Sequence, residues 1–265
     1  MAIRMPAEHG AWGMLIVPLL SAAAVAGVWN MPVVLCAALA LGLFVLRGSA
    51  EQQGGWRTLR QPEHVVLALV LLAMAGALVL AYGRMQLIAV AAAGVALYAV
   101  QEIIVRVHNE ARTEKRSLAA ELVGVVLLSL AAPAAWIAAR GRLEPEGVQV
   151  WALNVLFFLG GVLYVKYRVR GLLAHREFSG WRERLEFAWP VFFYHLLLLA
   201  FLATSIFLRE LSAAVLLAFA PGILRANGLF FQLGERFPIR RLGWMEIVHS
   251  VVFAALLVMA YRLAV

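Results

Sequence analysis

The residues of this chain that could do chemistry are glutamates, histidines and arginines at the ends of apolar segments or just inside them. Glu102 and Glu121 each lie about one turn inside such a segment, and Arg225 interrupts another. A charged side chain among apolar residues in a membrane is costly without a partner and marks a functional site by default. The candidate ligand-binding residues are Glu8, His9, Glu102, Glu121, Arg225, Asn227, Glu246 and His249.

Two interpretations of these charges remain open. Glu102, Arg106 and Glu110 are spaced i, i+4, i+8 and share one helix face, so they can form either an ion-paired stripe or a head-group site. Arg225 follows Pro221, which is expected to kink its helix. It can either neutralise one of the acids Glu102, Glu121 and Glu246 or hold an anionic ligand.

Glu246 and His249 have the Glu-x-x-His spacing of di-metal carboxylate helices. A dinuclear site needs two such motifs and two further acids, and the chain has one copy. The pattern therefore favours a helical histidine bonded to a neighbour, and no metal site is predicted.

The segment 164–184, "YVKYRVRGLLAHREFSGWRER", is strongly basic and carries interfacial aromatic residues, Tyr164 among them. Basic residues in such a segment either follow the positive-inside rule or bind phosphate over a cavity. The phosphate or head-group candidates are Lys166, Arg168, Arg170 and Arg176.

The composition is that of an integral membrane protein. Hydrophobic residues make up 64% of the 265 residues and charged residues 14%, against about 25% charged in soluble domains. The net charge of +8 is explained by loops on an anionic membrane surface, so nucleic acid is not an expected partner. All 15 acidic residues are glutamate, and the single Cys36 excludes a disulfide within the chain.

Nine apolar segments predict an all-α bundle of about nine transmembrane helices, with residues 1–265 forming a single transmembrane domain. We interpret the first segment as a retained helix rather than a signal peptide. The segments are 11–28, 31–46, 64–82, 86–105, 118–139, 148–168, 187–208, 211–233 and 244–264.

The basic residues predict the orientation of this bundle. With the N-terminus in the cytoplasm and the C-terminus outside, 17 of the 23 Lys and Arg residues lie on the cytoplasmic side and five lie outside. This asymmetry is the usual one for a cytoplasmic membrane protein. Most of the glutamates and histidines fall on the same side, so the candidate site is expected to open to the cytoplasm.

The motifs "PAEHGAWGMLIVP" and "RRLGWMEIVHSVVFA" resemble the YwiC-like family of bacterial membrane proteins, over the whole chain. The layout is also similar, more distantly, to that of UbiA-type intramembrane prenyltransferases. That resemblance implies nine helices, an inner N-terminus and inner loops at 47–63 and 169–186 that cap a central cavity. The stretch "EKRSLAAELVG" is similar to a Lys-Arg pattern of those enzymes.

The chain departs from the UbiA-type pattern in its metal ligands. Those enzymes hold magnesium and a diphosphate with aspartate-rich motifs, and this chain has no aspartate. Magnesium requires oxygen ligands, which arginine cannot supply. The aspartate-rich magnesium–diphosphate site is therefore expected to be absent, and the sequence names no other cofactor.

Together these patterns predict a bacterial inner-membrane protein with a polar cavity, capped by basic loops and open to the cytoplasm. The expected ligand is an amphipathic lipid: an isoprenoid, a quinone or an anionic lipid. The alternative is a transporter or an accessory subunit of a membrane complex without catalytic activity. The sequence leaves open whether the chain is an enzyme.

Overall fold

The computed structural model of the chain describes residues 9–53, 60–110, 117–173, 180–233 and 238–263, and almost all of them are helical. A π-helical turn, Ala77–Ala81, extends the third helix. The helices are α1 (His9–Ala26), α2 (Met31–Gln52), α3 (Pro62–Gly76), α4 (Gln86–Glu110), α5 (Leu118–Ser129), α6 (Ala131–Arg140), α7 (Pro145–Leu173), α8 (Trp181–Phe207), α9 (Val215–Gln232) and α10 (Ile239–Leu263).

The predicted segments are confirmed as helices. Helices α5 and α6 form one apolar span, Leu118–Arg140, so the described residues contain nine apolar helical segments at the predicted places. Seven are long and apolar enough to cross a membrane, and the segments Gly10–Ala26 and Val215–Leu229 are shorter. Since a span needs about 20 residues, the chain is an all-α membrane protein with several spans.

Contacts between helices divide the chain within α7 into two compact units, Met1–Ala152 (unit 1) and Leu153–Val265 (unit 2). In unit 1, α6 packs on α1 and α2, α5 packs on α4, and α3 packs on α2. In unit 2, α9 packs on both α8 and α10.

Small side chains hold the centre of unit 1 together. Ala22 and Ala26 of α1 and Ala135 and Ala138 of α6 are all fully buried, and these two helices pack on each other. Lipid chains are as apolar as the helices, so association in a membrane depends on close packing, which alanine permits.

The ends of two helices in unit 1 are fixed by local chemistry. The Asn30 side chain accepts a hydrogen bond from the Val33 backbone at 3.1 Å and donates one to the Ala139 carbonyl at 3.2 Å. It therefore caps α2 and ties it to α6. Gly141 caps the C-terminal end of α6. Its φ of 89° lies in the left-handed region, which favours glycine.

Aromatic side chains form the core of unit 2. The Phe157 ring of α7 stacks on the Phe253 ring of α10 at 4.0 Å between centroids. The Phe219 ring of α9 contacts the Phe253 ring edge-on at 5.3 Å between centroids. The Tyr194 hydroxyl on α8 donates a hydrogen bond to the Leu156 carbonyl of α7. These contacts bring all four helices of unit 2 around one group of polar residues.

Candidate functional site

The polar centre of unit 2 is an ion pair between Arg225 of α9 and Glu246 of α10. Arg225 Nη1 donates to Glu246 Oε1, and Nη2 donates to Oε2 at 3.2 Å. The side chains are only 10% and 22% exposed. Two parallel hydrogen bonds between a guanidinium and a carboxylate are the strongest geometry for such a pair. Of the three acids that the sequence offered Arg225, Glu246 is the partner.

Two residues of α7 complete the surroundings of this ion pair. The Arg225 guanidinium carbon lies 4.2 Å from the centroid of the buried Tyr164 ring, a cation–π contact. A Cβ placed on Gly161 would lie 3.4 Å from Glu246 Oε2. The missing side chain at Gly161 therefore lets α7 approach the carboxylate closely.

A small cavity lies beside the ion pair, with a volume of about 20 Å³ for the centre of a water-sized sphere. That is room for about one water molecule. Its walls are mainly apolar, and its polar residues are Tyr164, His195 and Arg225. Gly160, Gly161 and Gly222 also line it. A few polar groups therefore converge between apolar walls in a space of water-like size.

His195 of α8 faces this cavity in a defined hydrogen-bonding state. Its side chain is buried, and Nδ1 lies 2.7 Å from the Val191 carbonyl oxygen. Since a carbonyl can only accept, Nδ1 carries the proton, and Nε2 of the neutral ring is left as an acceptor. Nε2 has no hydrogen-bond partner among the described residues.

Arg225 also keeps one unused donor. Its Nη1 and Nη2 atoms bind Glu246, but the buried Nε atom has no partner in the described part of the chain. An unpaired buried donor typically costs about 1–3 kcal/mol. Because this Nε atom has almost no accessible surface, His195 Nε2 is the free hydrogen-bonding group that the described wall of the cavity offers to a ligand.

The other predicted residues of α9 and α10 bond within their own helices. The exposed Asn227 donates to the Ile223 carbonyl at 2.9 Å, and His249 Nδ1 lies 2.7 Å from the Met245 carbonyl oxygen. His249 is therefore bonded within its own helix, and the expected absence of a metal there stays a prediction. Neither residue lines the cavity.

The basic candidates of α7 differ in burial. Arg168 is buried, whereas Lys166 and Arg170 are half-buried. Arg170 lies over the Tyr167 ring at 5.8 Å. None of the three lines the cavity, and Arg176 lies outside the described residues.

Unit 1 holds a second group of polar residues. Arg47 of α2 donates to Glu51 Oε1 at 2.7 Å and to Gln101 Oε1 of α4 at 3.1 Å, and it lies over the Tyr98 ring at 4.6 Å. Gln101 in turn donates to the Ala120 carbonyl of α5 at 3.1 Å. These contacts tie α2, α4 and α5 together.

Two predicted acids belong to this part of unit 1. Glu102 lies near the Tyr98 hydroxyl, and the half-buried Glu121 lies in the first turn of α5. Their predicted role in ligand binding stays a prediction. Glu8 and the side chain of His9 lie outside the described residues, so their predicted contact with another helix also stays a prediction.

Comparison with known proteins relates the chain to one family of membrane proteins. Residues 5–136 match the family described as "YwiC-like protein". A relative described as "Uncharacterized protein YwiC", from Bacillus subtilis (strain 168), is 25% identical over 263 residues, which cover 96% of each chain. The chain is thus similar to the YwiC-like family over these residues and to a YwiC protein over nearly its whole length. An uncharacterized Haemophilus influenzae protein is 24% identical over 158 residues, which cover 60% of this chain and 59% of that relative.

The family match falls within unit 1, which contains the Arg47 group. The Arg225–Glu246 pair lies in unit 2, C-terminal to residues 5–136, and the similarity to the Bacillus relative extends over nearly the whole chain. No solved structure matches the chain. The resemblance to UbiA-type prenyltransferases stays a prediction.

Sequence reasoning missed four of the residues that shape the unit 2 site: Tyr164, His195, Gly160 and Gly161. Tyr164 is predicted only as an interfacial aromatic residue, and the Gly160–Gly161 pair has no predicted role. The sequence does contain a signal for three of these residues. Gly160 and Gly161, with Tyr164 three residues later, interrupt a largely apolar segment. Across the residues that the structure describes, no group of three or more His, Cys or Glu side chains is arranged to hold a metal ion.

Proposed function

We propose that this YwiC-like protein binds the head group of an amphipathic membrane ligand in unit 2. The ligand class is an isoprenoid, a quinone or an anionic lipid, and the site opens towards the cytoplasm of a bacterial inner membrane. The observation that carries the proposal is the cavity beside the Arg225–Glu246 pair. It joins charged and hydrogen-bonding groups to apolar walls.

The size and walls of the cavity support a ligand whose polar end is small. About 20 Å³ accepts one polar group, and the apolar tail must then lie between helices or in the surrounding lipid. Leu156, Phe157 and Phe219 provide apolar contacts next to that polar end.

The proposal is tested by lipid retention. Full-length protein purified in mild detergent is compared with the double variant Arg225→Met/Glu246→Leu by native mass spectrometry. This variant removes both charges together, and replacing a buried ion pair by apolar residues of similar volume is often neutral for stability. Wild type should retain a defined lipid that the folded double variant has lost. Equal retention by both proteins would overturn the proposal.

A second candidate function is that of a transporter or an accessory subunit of a membrane complex. One observation favours it: both oxygens of Glu246 are already bonded to Arg225, so the pair alone can serve to join α9 to α10. In that case the ion pair affects stability and assembly, and lipid retention does not depend on it. The same experiment therefore separates the two functions.

A further inference from the structure

We infer that the head group in the unit 2 cavity is an uncharged hydroxyl, so the ligand is a lipid alcohol rather than an anionic lipid or a quinone. The inference rests on the proposed function and narrows its ligand class. It follows from the charge, the free hydrogen-bonding group and the size of the site.

Among the described residues, the cationic side chain that lines the cavity is already paired. Arg225 is the cationic residue that lines the cavity, and both of its Nη atoms are bound to the Glu246 carboxylate. A phosphate would bring negative charge next to that carboxylate in an apolar environment. Because like charges repel strongly where water is excluded, the closed ion pair favours a neutral head group.

The free group at the cavity requires a hydrogen-bond donor from the ligand. His195 Nδ1 is bonded to the Val191 carbonyl, which leaves Nε2 as an acceptor that faces the cavity. A hydroxyl can donate to Nε2, whereas a quinone carbonyl can only accept.

The dimensions of the cavity agree with this chemistry. About 20 Å³ holds one water-sized group, and a hydroxyl is such a group. Gly160 forms part of the wall, and a Cβ at this position would lie 3.1 Å from Tyr194 Cε1 and 3.5 Å from His195 Nε2. The wall is therefore closely packed around the histidine, and a quinone ring or a phosphate needs more room than this.

The test compares three probes with different head groups, and the alcohol and the phosphate probe have the same tail. Delipidated full-length protein is titrated with geranylgeraniol and with geranylgeranyl monophosphate, and binding is measured by native mass spectrometry. Decylubiquinone serves as the quinone probe. The alcohol is expected to bind at least tenfold more tightly than either of the other probes. Equal or tighter binding of the phosphate or the quinone would overturn the inference and leave the proposed function standing.

A variant series tests whether His195 is responsible. His195→Phe removes the acceptor and should weaken binding of the alcohol by about fivefold, since a net hydrogen bond contributes roughly 1 kcal/mol. Binding of the phosphate should not change. Trp189→Phe is the matched control on the exposed face of the same helix. If His195→Phe and Trp189→Phe have the same affinity for the alcohol, the inference is wrong. If no probe binds and the wild-type protein also retains no lipid, both this inference and the proposed function are wrong.

Discussion

Arg225 and Glu246 meet across the interface of α9 and α10 in a two-point ion pair, although 21 residues separate them in the sequence. Arg225 also lies over the Tyr164 ring of α7. One guanidinium on α9 therefore contacts α10 and α7 and links three helices of unit 2. The pair can be at once a structural link and the wall of a binding site, and the two roles predict different behaviour in variants.

The first prediction concerns the stability of this pair. Arg225→Met alone or Glu246→Leu alone leaves one charge buried without its partner, which typically costs about 3–5 kcal/mol. The double variant should be within about 1 kcal/mol of wild type, because both charges are removed together. Unfolding by SDS, followed by circular dichroism, measures all four proteins. A double variant that loses as much stability as the two single variants combined would show that the residues do not act as a pair.

The second prediction concerns the packing of unit 1. A Cβ at Gly147 would lie 2.6 Å from Trp136 Cγ, and Trp136 is only 3% exposed. Because the near end of the buried indole cannot move away easily, Gly147→Ala should destabilise the protein by about 1–3 kcal/mol. Gly243→Ala is the control, since no atom lies within 4 Å of the added Cβ and alanine favours a helix. Equal melting temperatures of the two variants would contradict the packing argument.

The third prediction concerns topology. With 17 basic residues assigned inside and five outside, we expect the segment around Thr113 to be cytoplasmic and that around Pro145 to be external. Thr113→Cys and Pro145→Cys are made separately in a Cys36→Ala background. A membrane-impermeant maleimide should label only Pro145→Cys in intact cells and both variants after permeabilisation. Labelling of Thr113→Cys in intact cells would reverse the orientation.

The fourth prediction concerns magnesium. Because the chain contains no aspartate, we expect no transfer of a prenyl group from a diphosphate donor by the UbiA-type mechanism. Purified protein incubated with magnesium, geranylgeranyl diphosphate and an aromatic acceptor should form no product. A prenylated product that disappears when the metal is chelated would contradict this expectation.

The helices of this protein could be predicted because the bilayer imposes a strong and local constraint. Each span must be apolar over about 20 residues, so the ends of the segments are marked by charges such as Arg47 and Arg140. Even the short segment around α9 can be located, although Arg225 interrupts it. The orientation is predicted from the same charges and awaits the labelling experiment.

The partners within the site were harder to predict, because they depend on which helices pack together. The sequence narrows the partner of Arg225 to three acids, and the contact between α9 and α10 selects Glu246. The hydropathy of the sequence does not indicate which two helices are in contact. Tyr164 was missed for a related reason: an aromatic ring near the end of a span has the same sequence pattern whether it anchors the helix at the interface or lies over a cation.

The polar group of unit 1 could be predicted only in part. Glu102 is singled out by its depth in an apolar segment, and it lies near Tyr98. Arg47 and Gln101, which connect α2 to α4, resemble ordinary residues of a polar helix end. Side-chain bonds between distant segments follow from tertiary packing and leave no periodic signal in the sequence.

The most direct test of the proposed site is photo-crosslinking with a lipid alcohol that carries a diazirine next to its hydroxyl group. The probe is added to the full-length protein in lipid nanodiscs, and the labelled peptides are identified by mass spectrometry. We expect labelling at the cavity wall, within residues 156–164 or 219–225, and its loss in the double variant Arg225→Met/Glu246→Leu. Labelling confined to other helices, or unchanged in the double variant, would contradict a head-group site at the Arg225–Glu246 pair.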